Sequence, residues 1–318
     1  MDAHQVKPHS TKEMETKRKK AKAGLGGLHV VVDPPQQDGI FDIVFVHGLK
    51  GHCWETWTHR DGRKDDGVYW PVDLLPTHIK TARIMTFQYD SKVVFNTSKA
   101  SLQDTADMLL ERIHDKRESL KKEDGTPSDR PVVFVVHSLG GIVVKKALFR
   151  ANDVHNKTWH DIGDATKGIV FFGTPHRGSD VANTLGPLAN ITSSGWGWAK
   201  SKFLPLLKTH SAPLREVSDE FRHVAPRYML VSFYEENIHP ALRDLVVDKS
   251  SSRMGIPHEQ TMMMGGDHTS MCKFEQDDAR FETVWRAIKS ATHAPPGHNK
   301  FHTVPADSIQ QSVFCHPT

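Results

Sequence analysis

Val132-Val133-Phe134-Val135-Val136-His137-Ser138-Leu139-Gly140-Gly141-Ile142-Val143-Val144-Lys145-Lys146-Ala147-Leu148 is the stretch on which the fold turns. Five apolar, mostly β-branched residues predict a strand buried on both faces, as a central parallel strand must be. Ser138 then sits at a strand-to-helix turn, a position that forces a strained backbone and requires small neighbours; Gly140 and Gly141 meet that need. The helix that begins just after the serine directs its N-terminal amides and dipole at any oxyanion formed there. In the pattern G-x-S-x-G the first glycine falls where this chain has Val136, so crowding at the turn is expected. The plainer alternative is a serine capping a helix after a buried strand.

Outward from this stretch, short β-branched runs alternate with segments of helical period. The fold class is α/β, with a mainly parallel central sheet covered by helices on both faces. Strands are expected at 28–32, 42–46, 83–89, 132–136, 168–172, 227–234 and 260–264. Leu102, Ala106, Leu109, Leu110 and Ile113 follow helical spacing, as do Phe281, Val284, Trp285 and Ile288. One domain spans 28–290, with a small helical cap over about 180–225 rich in Leu and Trp. Residues 1–27 read as a disordered basic tail and 291–318 as a disordered tail or linker.

The chain has 318 residues, 37% hydrophobic, with a net charge of +3. Lys7, Lys12, Lys17, Arg18, Lys19, Lys20 and Lys22 outweigh Asp2, Glu13 and Glu15 in the first 27 residues, leaving the remainder near neutral. Nucleic-acid binding is therefore not expected, while the basic run suits a solvated tail, an address signal or peripheral contact with anionic lipid. No apolar run reaches the roughly 18 residues that span a bilayer, and no apolar segment marks a secretory signal. Cys53, Cys272 and Cys315 are scattered, so a disulfide framework or thiolate metal site is not supported and a reducing, intracellular compartment fits.

Partners for Ser138 follow from chain position. Ile43 to Val46 runs into His47-Gly48-Leu49-Lys50-Gly51, where the Leu49 amide could converge with that of Leu139 on an oxyanion; His47 reads as a structural histidine orienting this loop. Where such a turn carries a nucleophile, the order is nucleophile, acid, histidine. His268, in Gly265-Gly266-Asp267-His268-Thr269-Ser270 after the last strand, is the expected base. His176, in Gly173-Thr174-Pro175-His176, is assigned to the pocket floor. For the acid, Glu235 at the end of its strand is preferred, with Glu236, Asp244 and Asp248 as alternatives.

Taken together these blocks resemble the serine esterase branch of the α/β-hydrolases, above all the serine active site-containing protein family and its fungal relatives. The resemblance covers about residues 28–290. It is carried by Phe45-Val46-His47-Gly48-Leu49, Trp70-Pro71-Val72-Asp73-Leu74-Leu75-Pro76, Ala82-Arg83-Ile84 to Tyr89-Asp90-Ser91, the serine turn, Gly173 to Ser179, Phe233-Tyr234-Glu235-Glu236 and Asp267-His268 with Met271-Cys272-Lys273-Phe274. It implies hydrolysis or transfer of acyl esters, lipid-like ones first, without metal or organic cofactor; an intracellular, soluble or peripheral membrane protein is expected, and the resemblance allows the mitochondrion or the endoplasmic reticulum. The chain departs from the family at Val136 and at Lys50, where another glycine is usual. Some fungal relatives place this domain before a nucleotide-binding signalling domain, and Phe301 to Pro305 looks like the linker found there. Two functions follow: an esterase or lipase, or a catalytically weak signalling module that keeps the fold.

Overall fold

Seven strands form one sheet in the computed structural model, in the order β1-β5-β2-β6-β7-β8-β9. They are β1 (Gly27–Val32), β2 (Phe41–Val46), β5 (Ala82–Gln88), β6 (Val132–His137), β7 (Thr166–Phe172), β8 (Met229–Glu235) and β9 (Glu259–Met264). The structure describes residues 11–35, 41–62, 67–91, 99–118, 120, 128–155, 157–176, 211–240, 245–247 and 249–293. β1 runs antiparallel to β5, and every other pairing in this sheet is parallel. All seven runs expected as strands are strands, shifted by a residue or two at their ends. A two-stranded ribbon, β3 (Thr58–His59) with β4 (Val68–Tyr69), is an addition that its short polar sequence does not signal.

Because successive side chains of a strand alternate faces, the sheet divides the core in two. Val44, Val46, Phe87, Phe134 and Val136 pack on one side against the helices Lys99–Glu118, Gly140–Ala151 and Ser211–Arg222. Ile43, Phe45, Val133, Val135 and Phe172 pack on the other against Trp57, Trp70 and the helix Arg280–Ser290. The second core is aromatic: the Phe45 ring meets Trp57 at 5.1 Å and Trp70 at 5.0 Å, both edge-on.

Two expectations are corrected here. Residues 11–22, placed in a disordered basic tail, form a helix. It docks because Ala21 is fully buried, Arg18 Nε donates to the Val31 carbonyl (2.9 Å), and the Cys53 thiol donates to the Ala21 carbonyl (3.1 Å). Lys12, Lys19, Lys20 and Lys22 stay in water, and Glu15 pairs with Lys19 at 2.9 Å. The cap expected over 180–225 does not include its last part: Val217, Phe221 and Ala225 are buried in the main core, with Phe221 stacked on Tyr228. Residues 180–210 lie outside the described residues, as do 294–318 and with them the linker-like stretch.

Among the described residues, no helix is long and apolar enough to cross a membrane.

Candidate active site

The C-terminal ends of β6, β7, β8 and β9 and the loop after β2 converge on Ser138. Its φ is +53°, the left-handed region that a non-glycine residue enters only when its surroundings compel it. Those surroundings are explicit. The Ser138 amide donates to the Phe172 carbonyl (2.8 Å), and the Ser138 carbonyl accepts Thr174 Oγ1 (2.9 Å) and the Gly141 amide (3.1 Å). A Cβ on Gly140 would lie 2.6 Å from the Val46 carbonyl oxygen, so this position must stay bare for the helix to approach β2. Likewise a Cβ on Gly48 would lie 2.7 Å from Ser138 Cβ and 3.3 Å from the Leu139 amide nitrogen, which places the loop after β2 directly against the turn.

Val136, where crowding was expected, pairs in register with Val46 and Phe171 and buries its side chain in the core beside the helices. The turn forms with the valine in place; its tight approaches are at the glycines. Lys50 takes φ +51°, a glycine-like conformation, and its amide donates to Ser91 Oγ (2.7 Å). Leu49 and Leu139 are both buried on the two sides of this junction, and among the described residues neither amide has a protein acceptor.

His268 lies behind Ser138, its Nε2 3.0 Å from the serine Oγ. Its Nδ1 is 2.6 Å from Glu235 Oε1, so the tautomer with the proton on Nδ1 donates to the carboxylate and leaves Nε2 to accept from the hydroxyl. Glu235 is the last residue of β8 and is itself held: the amide of Val246 donates to Oε2 and that of Val247 to Oε1, each at 2.9 Å. All three side chains are almost fully buried. Of the other carboxylates weighed for this role, Glu236 is exposed, and Asp244 and Asp248 lie outside the described residues.

Around this line, Asp267 accepts the amides of Thr269 and Ser270 and both hydroxyls, all at 2.9 Å, folding the loop that presents His268. Against the upward push of burial these donors hold the Asp267 carboxyl below its ordinary range. His47 donates Nδ1–H to the Gly48 carbonyl (2.9 Å), stacks on Tyr89 at 4.4 Å, and is pushed by burial down to about 4. It shapes the loop, as its place before Ser138 suggested. His176 is buried against Phe171, with Nε2 3.4 Å from Ser232 Oγ, and takes no part in the serine's hydrogen bonding.

Two contributors escaped sequence reasoning. Gly173, at φ +54°, would bring a Cβ to 3.0 Å from His268 Nδ1, so its bareness makes room for the imidazole; its place just after β7 was the only signal. His137 donates Nε2–H to the His268 carbonyl (2.8 Å), a pairing across 131 residues that no local pattern announces. Among the described residues no group of three His, Cys, Asp or Glu side chains could hold a metal ion.

A parallel sheet in this strand order, one antiparallel edge strand, and a left-handed serine between β6 and its helix define an α/β-hydrolase fold. No protein-family model matches the chain. It is similar to Protein SERAC1 of Danio rerio, 29% identical over 253 residues that cover 74% of this chain and 37% of that protein. To Protein SERAC1 of Homo sapiens it is 25% identical over 295 residues, 87% of this chain and 42% of that one. The chain thus spans less than half the length of these curated relatives. Among solved structures it is similar to the carboxylesterase CesB (YbfK) from Bacillus subtilis, with TM-score 0.41 and 12% identity over 87% of this chain and 96% of that one. A lipase-esterase related protein from Clostridium acetobutylicum gives TM-score 0.43 and 11% identity, covering 83% of this chain and 99% of that one.

Proposed function

We propose that this chain is a serine hydrolase that cleaves or transfers acyl esters, with lipid-like esters as its substrates. The observation that carries the reading is the unbroken buried line from Ser138 Oγ through His268 to Glu235, at 3.0 Å and 2.6 Å, starting from a serine at φ +53°. In this reading His268 Nε2 takes the hydroxyl proton as Ser138 Oγ attacks the acyl carbonyl. Glu235 holds the imidazole tautomer and stabilises the imidazolium. The amides of Leu49 and Leu139 receive the oxyanion, at roughly 3 kcal/mol per donor in hydrolases of this kind. His268 then protonates the leaving alkoxide, and water or a second alcohol, deprotonated by the same imidazole, attacks the acyl-enzyme and frees the serine.

A non-catalytic signalling module would draw on Val136, Lys50 and the linker-like end; at the turn itself the close approaches are made by the glycines and not by Val136. The hydrolase reading is therefore preferred. Its test is labelling of the full chain with a fluorophosphonate, mapped by mass spectrometry, beside hydrolysis of p-nitrophenyl esters of increasing chain length. A single adduct on Ser138 is expected, weakened in His268→Ala, with kcat lowered about 10⁴-fold or more in Ser138→Ala. An unlabelled, folded protein would overturn the hydrolase. A kcat/KM that does not rise with acyl length would remove lipid-like esters from the reading.

A further inference from the structure

His137 is the residue immediately before the serine and the last of β6. Strand alternation sends its side chain to the aromatic core, where the ring lies edge-on to Trp57 at 6.3 Å and 5.0 Å from the His268 ring. Its Nε2 meets the backbone carbonyl of His268 at 2.8 Å. A carbonyl only accepts, so Nε2 carries the hydrogen. Burial, reinforced by the neighbouring His268, pushes the His137 imidazole down to about 3, and the ring therefore stays neutral, with one donor committed to one acceptor.

The loop that presents His268 is otherwise fastened elsewhere. Apart from the bonds of the His268 imidazole itself, its ties among the described residues run from Asn237 to the Gly266 carbonyl (3.0 Å), from Trp70 to that of Cys272 (2.9 Å), from the Cys272 thiol to the Thr56 carbonyl (3.4 Å), and from Arg280 to the carbonyls of Gly265 and Lys273. None of these reaches the strand that bears the nucleophile. The bond from His137 does, and it grips the base residue's own backbone.

We infer that His137 is a positioning residue, which fixes the main chain of His268 to the nucleophile strand through its Nε2–H and so sets the imidazole between Ser138 and Glu235. The functional part of this inference rests on the hydrolase reading; the geometric part does not. Two neighbouring residues then carry two jobs: Ser138 supplies the reacting oxygen, and His137 sets the distance at which its base stands. A displacement of about 1 Å at such a pair costs about 10²-fold in rate.

The test compares His137→Gln with His137→Asn in the full chain. A glutamine amide nitrogen reaches about as far as imidazole Nε2, whereas the shorter asparagine reaches only to the position of Nδ1. The readouts are kcat and KM for p-nitrophenyl butyrate and the far-downfield proton resonance of the hydrogen shared by His268 Nδ1 and Glu235. Wild type and His137→Gln are expected to keep the resonance, with similar kcat; His137→Asn is expected to lose it, with kcat down about 10²-fold and KM little changed. Equal behaviour of the two variants overturns the inference. So does loss of resonance and rate in a folded His137→Gln, whether or not the asparagine variant folds. If wild type hydrolyses no ester, the hydrolase reading fails, and the resonance alone decides whether His137 positions His268.

Discussion

At the scale of single residues, Val136 and Lys50, the two positions where the sequence departs from the pattern it resembles, have opposite consequences. Val136 is fully buried between β2 and β7, so Val136→Gly removes core volume and adds backbone freedom inside a strand. We expect it to cost about 2–4 kcal/mol, with no gain in ester hydrolysis. Lys50 holds a φ of +51° for which glycine carries no steric penalty, so Lys50→Gly is expected to gain up to about 1 kcal/mol. Denaturant midpoints measured side by side check both, and a stabilised Val136→Gly would contradict the packing described for β6. Both positions were visible in the sequence as departures, but their sign was not. A residue type at a motif position says nothing of whether its side chain faces the turn or the core behind it. Strand ends and chain order pointed to Ser138 and His268 but narrowed the acid only to Glu235, Glu236, Asp244 and Asp248; it is the contact between Glu235 and His268 that singles out Glu235 among the described residues. His137 and Gly173 were not, because their roles lie in contacts made across the sheet.

At the scale of elements, the ends of the strands remote from Ser138 are gathered by one buried carboxylate. Asp42, at the start of β2, takes Arg83 of β5 in a bidentate pair, 2.9 Å on each oxygen, and accepts from Arg117 Nη1 at 3.2 Å and Arg130 Nη1 at 3.5 Å. The guanidiniums have further acceptors: Arg83 donates to the Lys116 carbonyl, and Arg117 to those of Ser128 and Arg130. β2, β5, the helix Lys99–Glu118 and the approach to β6 are joined at this point. Removing the carboxylate leaves buried guanidinium charge without its counter-ion, so Asp42→Ala is expected to cost about 3–5 kcal/mol, read as a lower denaturation midpoint at unchanged slope. Loss below 1 kcal/mol would mean that the carbonyls suffice. Hydrophobic patterning exposed the strands themselves, since buried parallel strands are continuous apolar runs. It could not expose this cluster, whose members are up to 88 residues apart. The helix Thr11–Lys22 was hidden for a different reason: Ala21 is its one fully buried residue, beside the partly buried Met14, Lys17 and Arg18, too little apolar signal against a run of lysines.

At the scale of the whole molecule, the fold buries a base that the unfolded chain would charge. Lys145, on the helix after the serine, is fully buried, with Ser218 Oγ at 3.3 Å. Burial pushes its ammonium down to about 7, against the pull of Glu259. Between that value and the ordinary lysine range near 10.4, the unfolded chain holds a proton that the folded one lacks, so this group makes stability rise with pH across the window. Below about pH 7 the penalty is present in full. Lys145→Met is therefore expected to be more stable than wild type, with the largest difference at pH 6 and a shrinking one toward pH 10. Urea denaturation at both ends of the range checks this, and a constant difference would show that the lysine does not titrate. The sheet order also bears on how the protein is made. After β5 and β2 meet, β6 joins the free edge of β2, and β7, β8 and β9 each join the edge left by the strand before. A chain emerging from the ribosome finds its template already laid at every step after the first pairing. His268 is synthesised 130 residues after Ser138 and follows the last strand. The serine therefore waits through 130 residues of synthesis for its partner, and the pair is completed only when the sheet is.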